Sequence, residues 1–225
     1  MGKVAGKKRR KAIDCSVFKN FEFFLLFLCF SFYSIGYFIP FVHLVPYAIK
    51  FAGETRESSA ALFIALGAGT TVGRIFSGFV ADRIGILQVY LLAIICTGIP
   101  ALFIPLMTKP GMLYFFVIPF GMFAGARIAL VSLLVAELLG LENLPTKMGM
   151  MFLCIAPASI FGPVIGGAIF DSTNSYTAAF LFGGGMMLGS IPFLVTILYR
   201  RAQKKKNALN VVVDAKKDDR QLDKV

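Results

Sequence analysis

Six apolar runs of membrane-crossing length decide what this chain can become. They cover roughly residues 23–49, 59–81, 86–108, 111–139, 148–170 and 176–199. Each reaches the ~20 residues that a helix needs to cross a ~30 Å hydrocarbon layer. None alternates polar and apolar residues strictly, and glycine recurs inside most of them, so membrane helices fit and a transmembrane barrel does not. Composition points the same way: 57% of the 225 residues are hydrophobic and 16% are charged, whereas ordinary soluble domains carry about 25% charged residues. The expected fold is all-α and transmembrane. A six-helix domain over 21–199 stands between a basic segment, 1–20, and a charged tail, 200–225.

The first run follows a basic start, as the core of a signal peptide does. It is far longer than the ~7–15 apolar residues of such a core, and no small-residue cleavage site follows it, so it reads as a retained helix. Charge then sets the orientation. Residues 1–20 hold seven Lys/Arg against Asp14, residues 200–225 hold nine against four Asp, and the stretch between holds seven of each sign. With the N-terminus inside, eighteen Lys/Arg fall on cytoplasmic segments and three, Lys50, Arg56 and Lys109, fall on external loops. That bias places both termini in the cytoplasm. Basic ends flanking apolar spans suit an anionic lipid surface. No groove-reading or base-stacking motif accompanies them, so nucleic acid is not an expected partner. Cys15, Cys29, Cys96 and Cys154 form no C-x-x-C pair, and three lie inside apolar runs, which argues against a metal site and for small buried hydrophobes. No cofactor is expected.

An internal repeat links the second run to the fifth. Gly73-Arg74-x-x-x-Gly78-x-x-x-Asp82 matches Gly162-Pro163-x-x-x-Gly167-x-x-x-Asp171 at an offset of 89 residues, which also carries Phe23 to Met112 and Leu87 to Tyr176. Two units of three helices follow, and three spans per unit invert the second relative to the first. Inverted repeats of this kind build secondary transporters, with a pathway at the repeat interface.

Four residues stand out as candidate ligand contacts. Arg74 lies on the order of 10 Å inside the boundary marked by Asp82, with Thr70, Ser77 and Gly78 at helical spacing around it. A charge at that depth faces a cavity or a partner; the alternatives are snorkelling and pairing with Asp82 or Glu137. Arg127 lies deeper, about 18 Å from the inner end of its run. There a guanidinium suits a carboxylate in a water-filled pathway, because its planar fork bonds both oxygens. His43, between Pro40 and Pro46, either faces the pathway as a proton-relaying imidazole or serves as an interfacial hydrogen-bonding residue. Asp82, Arg83 and Glu137 read as charged latches between helices. The glycine sets 67/69/73/78 and 183/184/185/189 read as close-packing surfaces. No P-loop, Ser-His-Asp grouping or H-E-x-x-H motif appears, which leaves ATP-driven pumping and hydrolysis without support; an enzyme is not expected.

The stretch Gly73-Arg-Ile-Phe-Ser-Gly78-Phe-Val-Ala-Asp82-Arg83-Ile-Gly85 resembles the loop signature between helices eight and nine of the major facilitator superfamily. Pro40-Phe-Val-His43-Leu-Val-Pro46-Tyr47, Glu137-Leu-Leu-Gly-Leu-Glu142-Asn143-Leu and Gly162-Pro163-Val-Ile-Gly166-Gly167 narrow it to the C-terminal half of the monocarboxylate-transporter family, over about residues 20–200. The resemblance implies half of a major-facilitator fold and alternating-access transport of a small organic anion across the plasma membrane. It also implies that Arg74 binds the substrate carboxylate. Some family members pair that arginine with an acid four positions earlier. Here Thr70 stands there, which departs from proton symport at that pair. The family also includes carriers of aromatic amino acids, thyroid hormones and creatine. The matching first half lies outside this sequence, so the expected partner is a missing N-terminal half or a second copy. The alternative is a half-carrier that only associates with or regulates a full-length transporter.

Overall fold

The computed structural model describes residues 20–222. Seven α-helices run through them: α1 (Phe21–Phe51), α2 (Arg56–Ile84), α3 (Ile86–Phe103), α4 (Pro110–Leu139), α5 (Leu144–Thr173), α6 (Tyr176–Gly189) and α7 (Ile191–Leu222). A 3-10 turn, Ile104–Leu106, extends α3, and α6 with α7 makes the sixth span. No strand occurs among the described residues. All six spans are long and apolar enough to cross a membrane.

Local chemistry sets the helix ends. The side chains of Asn20, Thr55 and Ser175 cap α1, α2 and α6 by accepting from the backbone N–H of Glu22, Ser58 and Thr177 at 3.0, 3.2 and 3.2 Å. Lys147 donates to the carbonyls of Leu139 and Gly140, closing the end of α4. Two ends differ from the runs read in the sequence. The sixth run is broken at Ser190 rather than continuous, because Pro192 has no N–H to give the carbonyl of Leu188; the Ser190 N–H turns to Met187 and Leu188 instead. Helix α7 then carries on to Leu222, so the charged tail begins as a continuation of the last span. The basic segment, apart from Asn20, lies outside the described residues.

The repeat is built into the backbone. Helix α1 starts at Phe21 and α4 at Pro110, 89 residues apart; α2 ends at Ile84 and α5 at Thr173, again 89 apart. Gly85 and Asn174 follow those ends at positive φ, 106° and 51°, and donate to the carbonyls of Ala81 and Phe170. Asn174 takes the left-handed helical region at ψ 27°, whereas Gly85, at ψ 145°, takes one that only glycine adopts readily, so the repeat ends the two helices at one position with two different turns. Helix neighbours exchange in the same way. Helix α2 lies along α4 as α5 lies along α1, α3 meets α4 as α6 meets α1, and α3 and α6 meet each other. The fold is a six-span bundle of two inverted three-helix units, half of the architecture expected.

Glycine permits the closest of these approaches. A Cβ on Gly73 would lie 1.8 Å from the Met122 carbonyl oxygen, and one on Gly125 would lie 2.1 Å from that of Thr70. The symmetric contact brings Gly162 to 2.6 Å from the Ile35 oxygen on the same measure, and Gly36 approaches Gly183 of α6 at 2.3 Å. Not every glycine of the expected sets takes part. Gly69, Gly183 and Gly184 pack against neighbouring helices, Gly189 barely reaches Phe32, and Gly67, Gly78 and Gly185 have nothing within 4 Å. Spacing alone does not say which way a helix is turned. Gly73→Ala should therefore lower the thermal midpoint of the detergent-solubilised protein by many degrees. Gly78→Ala, in open space, should leave it unchanged or raise it by the ~0.5–1 kcal/mol that separates the two residues in a helix. Equal losses in both variants would contradict this packing.

Candidate functional site

Helix α2 turns Gly73 and Ser77 toward the interior and Arg74 outward. Gly73 and Ser77 are buried, Ser77 at 4% exposure, whereas Arg74 is exposed. The Ser77 hydroxyl donates to the Arg74 carbonyl at 3.0 Å, and that of Thr70 donates to the Leu66 carbonyl at 2.8 Å. Both hydroxyls thus give their protons to their own helix. The expected polar strip around Arg74 is split, with the arginine outside and Ser77 within. Ile75, Phe76 and Phe79 beside Arg74 are 59%, 59% and 69% exposed, so the cation sits on a broad apolar face. Among the described residues, no carboxylate pairs with Arg74, and Asp82 and Arg83, both exposed, make no ion pair.

Arg127 has the opposite surroundings. It is 5% exposed and projects from α4 among aromatic rings of α1 and α3. Its guanidinium carbon lies 3.9 Å from the centre of the Tyr33 ring and 5.5 Å from that of Phe30, and Nη1 donates to the Tyr90 hydroxyl at 3.0 Å. Tyr33 in turn donates to Thr97 Oγ1 at 3.0 Å, which donates to the Ala93 carbonyl at 2.8 Å. The arginine is enclosed rather than open to a water-filled path. Ring faces and one phenol oxygen stand where a carboxylate partner was expected, and Nε is buried with no acceptor. These tyrosines had no motif to reveal them; the signal was only their place in apolar runs.

His43 joins α1 to α5. Its Nε2 lies 2.9 Å from the Pro163 carbonyl oxygen, and its ring rests on Tyr176 at 5.8 Å. These contacts tie the imidazole to α5 and α6. Glu137 belongs to a cluster at the end where α1 begins. Arg201 of α7 donates to the Glu137 carbonyl at 2.8 Å and lies 3.4 Å from its carboxylate, and it also approaches Glu22 at 3.7 Å. Lys204 pairs with Glu22 at 2.6 Å. This tie of α1, α4 and α7 escaped the sequence reading, although the six-span topology puts all three positions at one membrane face. Arg74, Arg127 and His43 thus occupy separate surroundings, and no group of three or more His, Cys, Asp or Glu suited to a metal occurs among the described residues.

An inverted-repeat bundle of six membrane-length apolar spans defines a polytopic membrane protein. The model of the Major Facilitator Superfamily matches residues 8–217, and the chain belongs to that family. It is 35% identical to monocarboxylate transporter 12 of Xenopus laevis over 171 residues, covering 74% of this chain and 37% of the relative. To monocarboxylate transporter 12-B of Danio rerio it is 32% identical over 198 residues, 85% of this chain and 41% of the relative. To human monocarboxylate transporter 12 it is 30% identical over 205 residues, 89% and 39%. The chain spans about two-fifths of the length of these relatives.

The buried cation makes a measurable prediction. Tyr90→Phe removes the one hydroxyl that Arg127 binds and should cost about 1–3 kcal/mol in detergent unfolding, as an unsatisfied buried donor does. Added to Arg127→Met it should cost little more, since the donor is already gone. Additive losses would show that the two side chains are not coupled.

Proposed function

We propose that this chain forms the C-terminal half of a monocarboxylate-transporter-like carrier of the plasma membrane, with both termini cytoplasmic, and that it moves a small organic anion by alternating access. The observation that carries the reading is Arg74, an exposed cation with no ion-pair partner among the described residues, on an apolar face of α2. A guanidinium so placed binds a carboxylate through both oxygens, and the apolar surface beside it takes the organic body. Thr70 borders this contact. Arg127 contributes a fixed positive charge behind the helix wall, and His43 holds α1 to α5. Asp82 and Arg83, with the Glu137–Arg201 pair, act as latches that part and re-form as the helices rock. Thr70 supplies no titratable group beside Arg74, so transport is facilitative rather than proton-driven.

Uptake of a labelled monocarboxylate by cells expressing the assembled carrier tests this. Arg74→Ala should remove at least nine-tenths of the uptake with surface expression unchanged, about the tenfold that a ~1.4 kcal/mol loss brings. Imposing a pH gradient should alter wild-type uptake little. Normal uptake by Arg74→Ala would end the carboxylate-binding role. A second reading is association without transport. In it the chain is a non-transporting half-carrier bound to a full-length relative. Co-purification with a second chain, and no uptake by the purified protein in liposomes, would support it.

A further inference from the structure

The two ends of the bundle differ in charge. At the end where α1, α3 and α5 begin, the described residues up to Lys206 hold seven Lys/Arg (83, 147, 200, 201, 204, 205 and 206) against Glu22, Asp82, Glu137 and Glu142. At the other end Lys50, Arg56 and Lys109 face Glu54, Glu57 and Asp171, and the charges balance. Five of the seven cations lie within seven residues of α7, which passes without a break from the last span into them. At 100° per residue, these positions surround the helix rather than line one side.

Two of the four acidic residues at this end are already taken up. Glu22 and Glu137 are bound by Arg201 and Lys204, and those contacts fix the helix against α1 and α4. Arg200, Lys205 and Lys206 are exposed and make no ion pair among the described residues. Arg200 lies flat over the ring of Phe21 at 4.0 Å, which holds its guanidinium at the start of α1, where the apolar span begins. Next to Lys205 a groove of about 290 Å³ opens between α3, α4 and α7, with Leu87 and Leu198 as its apolar walls and Gln88, Glu137 and Arg201 at its rim. Tyr199, 63% exposed, marks the same level. A ring of cations, two of them held by ion pairs, therefore stands where apolar surface gives way to polar. A phosphate held by that ring keeps its acyl chains against the apolar walls below it.

We propose that this collar is a binding site for anionic phospholipid head groups, with Arg200, Lys205 and Lys206 as the phosphate contacts and Arg201 and Lys204 as the residues that hold α7 in place. It is independent of the transport reading, since it needs neither Arg74 nor a second half. Each surface lysine or arginine contributes enough for the three to amount to on the order of 100-fold in lipid affinity.

The test is lipid retention by the full chain, purified from nanodiscs of phosphatidylcholine mixed with phosphatidylserine and read by native mass spectrometry. The wild type should retain phosphatidylserine in preference, and the preference should fall as salt rises. Arg200→Gln/Lys205→Gln/Lys206→Gln should lose it, and Lys205→Gln/Lys206→Gln, which touches two exposed side chains without ion-pair partners, should lose most of it while eluting as the wild type does. Lys50→Gln/Lys109→Gln at the opposite end should keep it. Equal retention of the two lipids by the wild type would overturn the proposal, as would an unchanged preference in the triple variant. A loss in the opposite-end variant would overturn it too, by showing that net charge rather than the collar selects the lipid.

Discussion

Backbone meeting backbone at glycine is the contact on which the bundle depends. Lipid tails are as apolar as leucine, so no hydrophobic force draws two helices together inside a bilayer, and association rests on close van der Waals fit. Here that fit occurs mainly between repeats. Gly69 and Gly73 of α2 press on α4 through Ile118 and Met122, and Gly121 and Gly125 of α4 press back on Leu66 and Thr70. Gly162 of α5 does the same to Ile35 of α1, and Gly166 meets the side chains of Ile39 and His43. The middle helix of each unit is thus seated on the first helix of the other. Neither unit of three buries its own glycine face, and the smallest structure that satisfies both is the bundle of six spans.

The same interlock aims the charged side chains. Once Gly73 must face Met122, the next residue is turned by 100° and comes out on the free side of α2, where Arg74 is found exposed. Once Gly125 must face Thr70, the residue two further on is turned by about 200°, away from α2 and into the angle between α1 and α3. Arg127 therefore meets Tyr33 and Tyr90. One constraint, the placing of glycine, explains why two arginines in two apolar helices end in opposite surroundings.

The architecture was legible in the sequence because its signals are additive. Run length counts spans, and the 89-residue offset that pairs Gly73 with Gly162 also pairs Gly85 with Asn174 as helix-ending residues. The surroundings of single side chains were less so. Pattern spacing put Ser77 on the face of Arg74 and treated Gly67 and Gly78 like Gly69 and Gly73, since a three- or four-residue step covers an arc wide enough to straddle the edge between packed and free. The Glu22–Arg201 and Glu137–Arg201 contacts join residues that topology puts at one membrane face, but a linear reading has no measure of which side chains there meet. Tyr33 and Tyr90 could not be told from other aromatic residues of apolar runs, because what distinguishes them is the guanidinium that reaches them from a third helix.

The two arginines differ most in what each could still bind. A charge near the middle of a membrane helix costs about 3 kcal/mol on insertion scales, and a protein keeps one only where the surroundings offset that cost. Arg127 is offset from within, by ring faces of α1 and one phenol of α3 that enclose its guanidinium. Its unpaired Nε is a residual strain of that enclosure, not an opening. Arg74 has no such internal compensation. Exposed apolar side chains of α2 lie beside it, and no carboxylate among the described residues pairs with it. The compensation for that charge has to come from outside the six-span unit, in the form of water, an anion or another polypeptide surface. In a carrier, all three meet at the face where one half of the molecule opens onto the other.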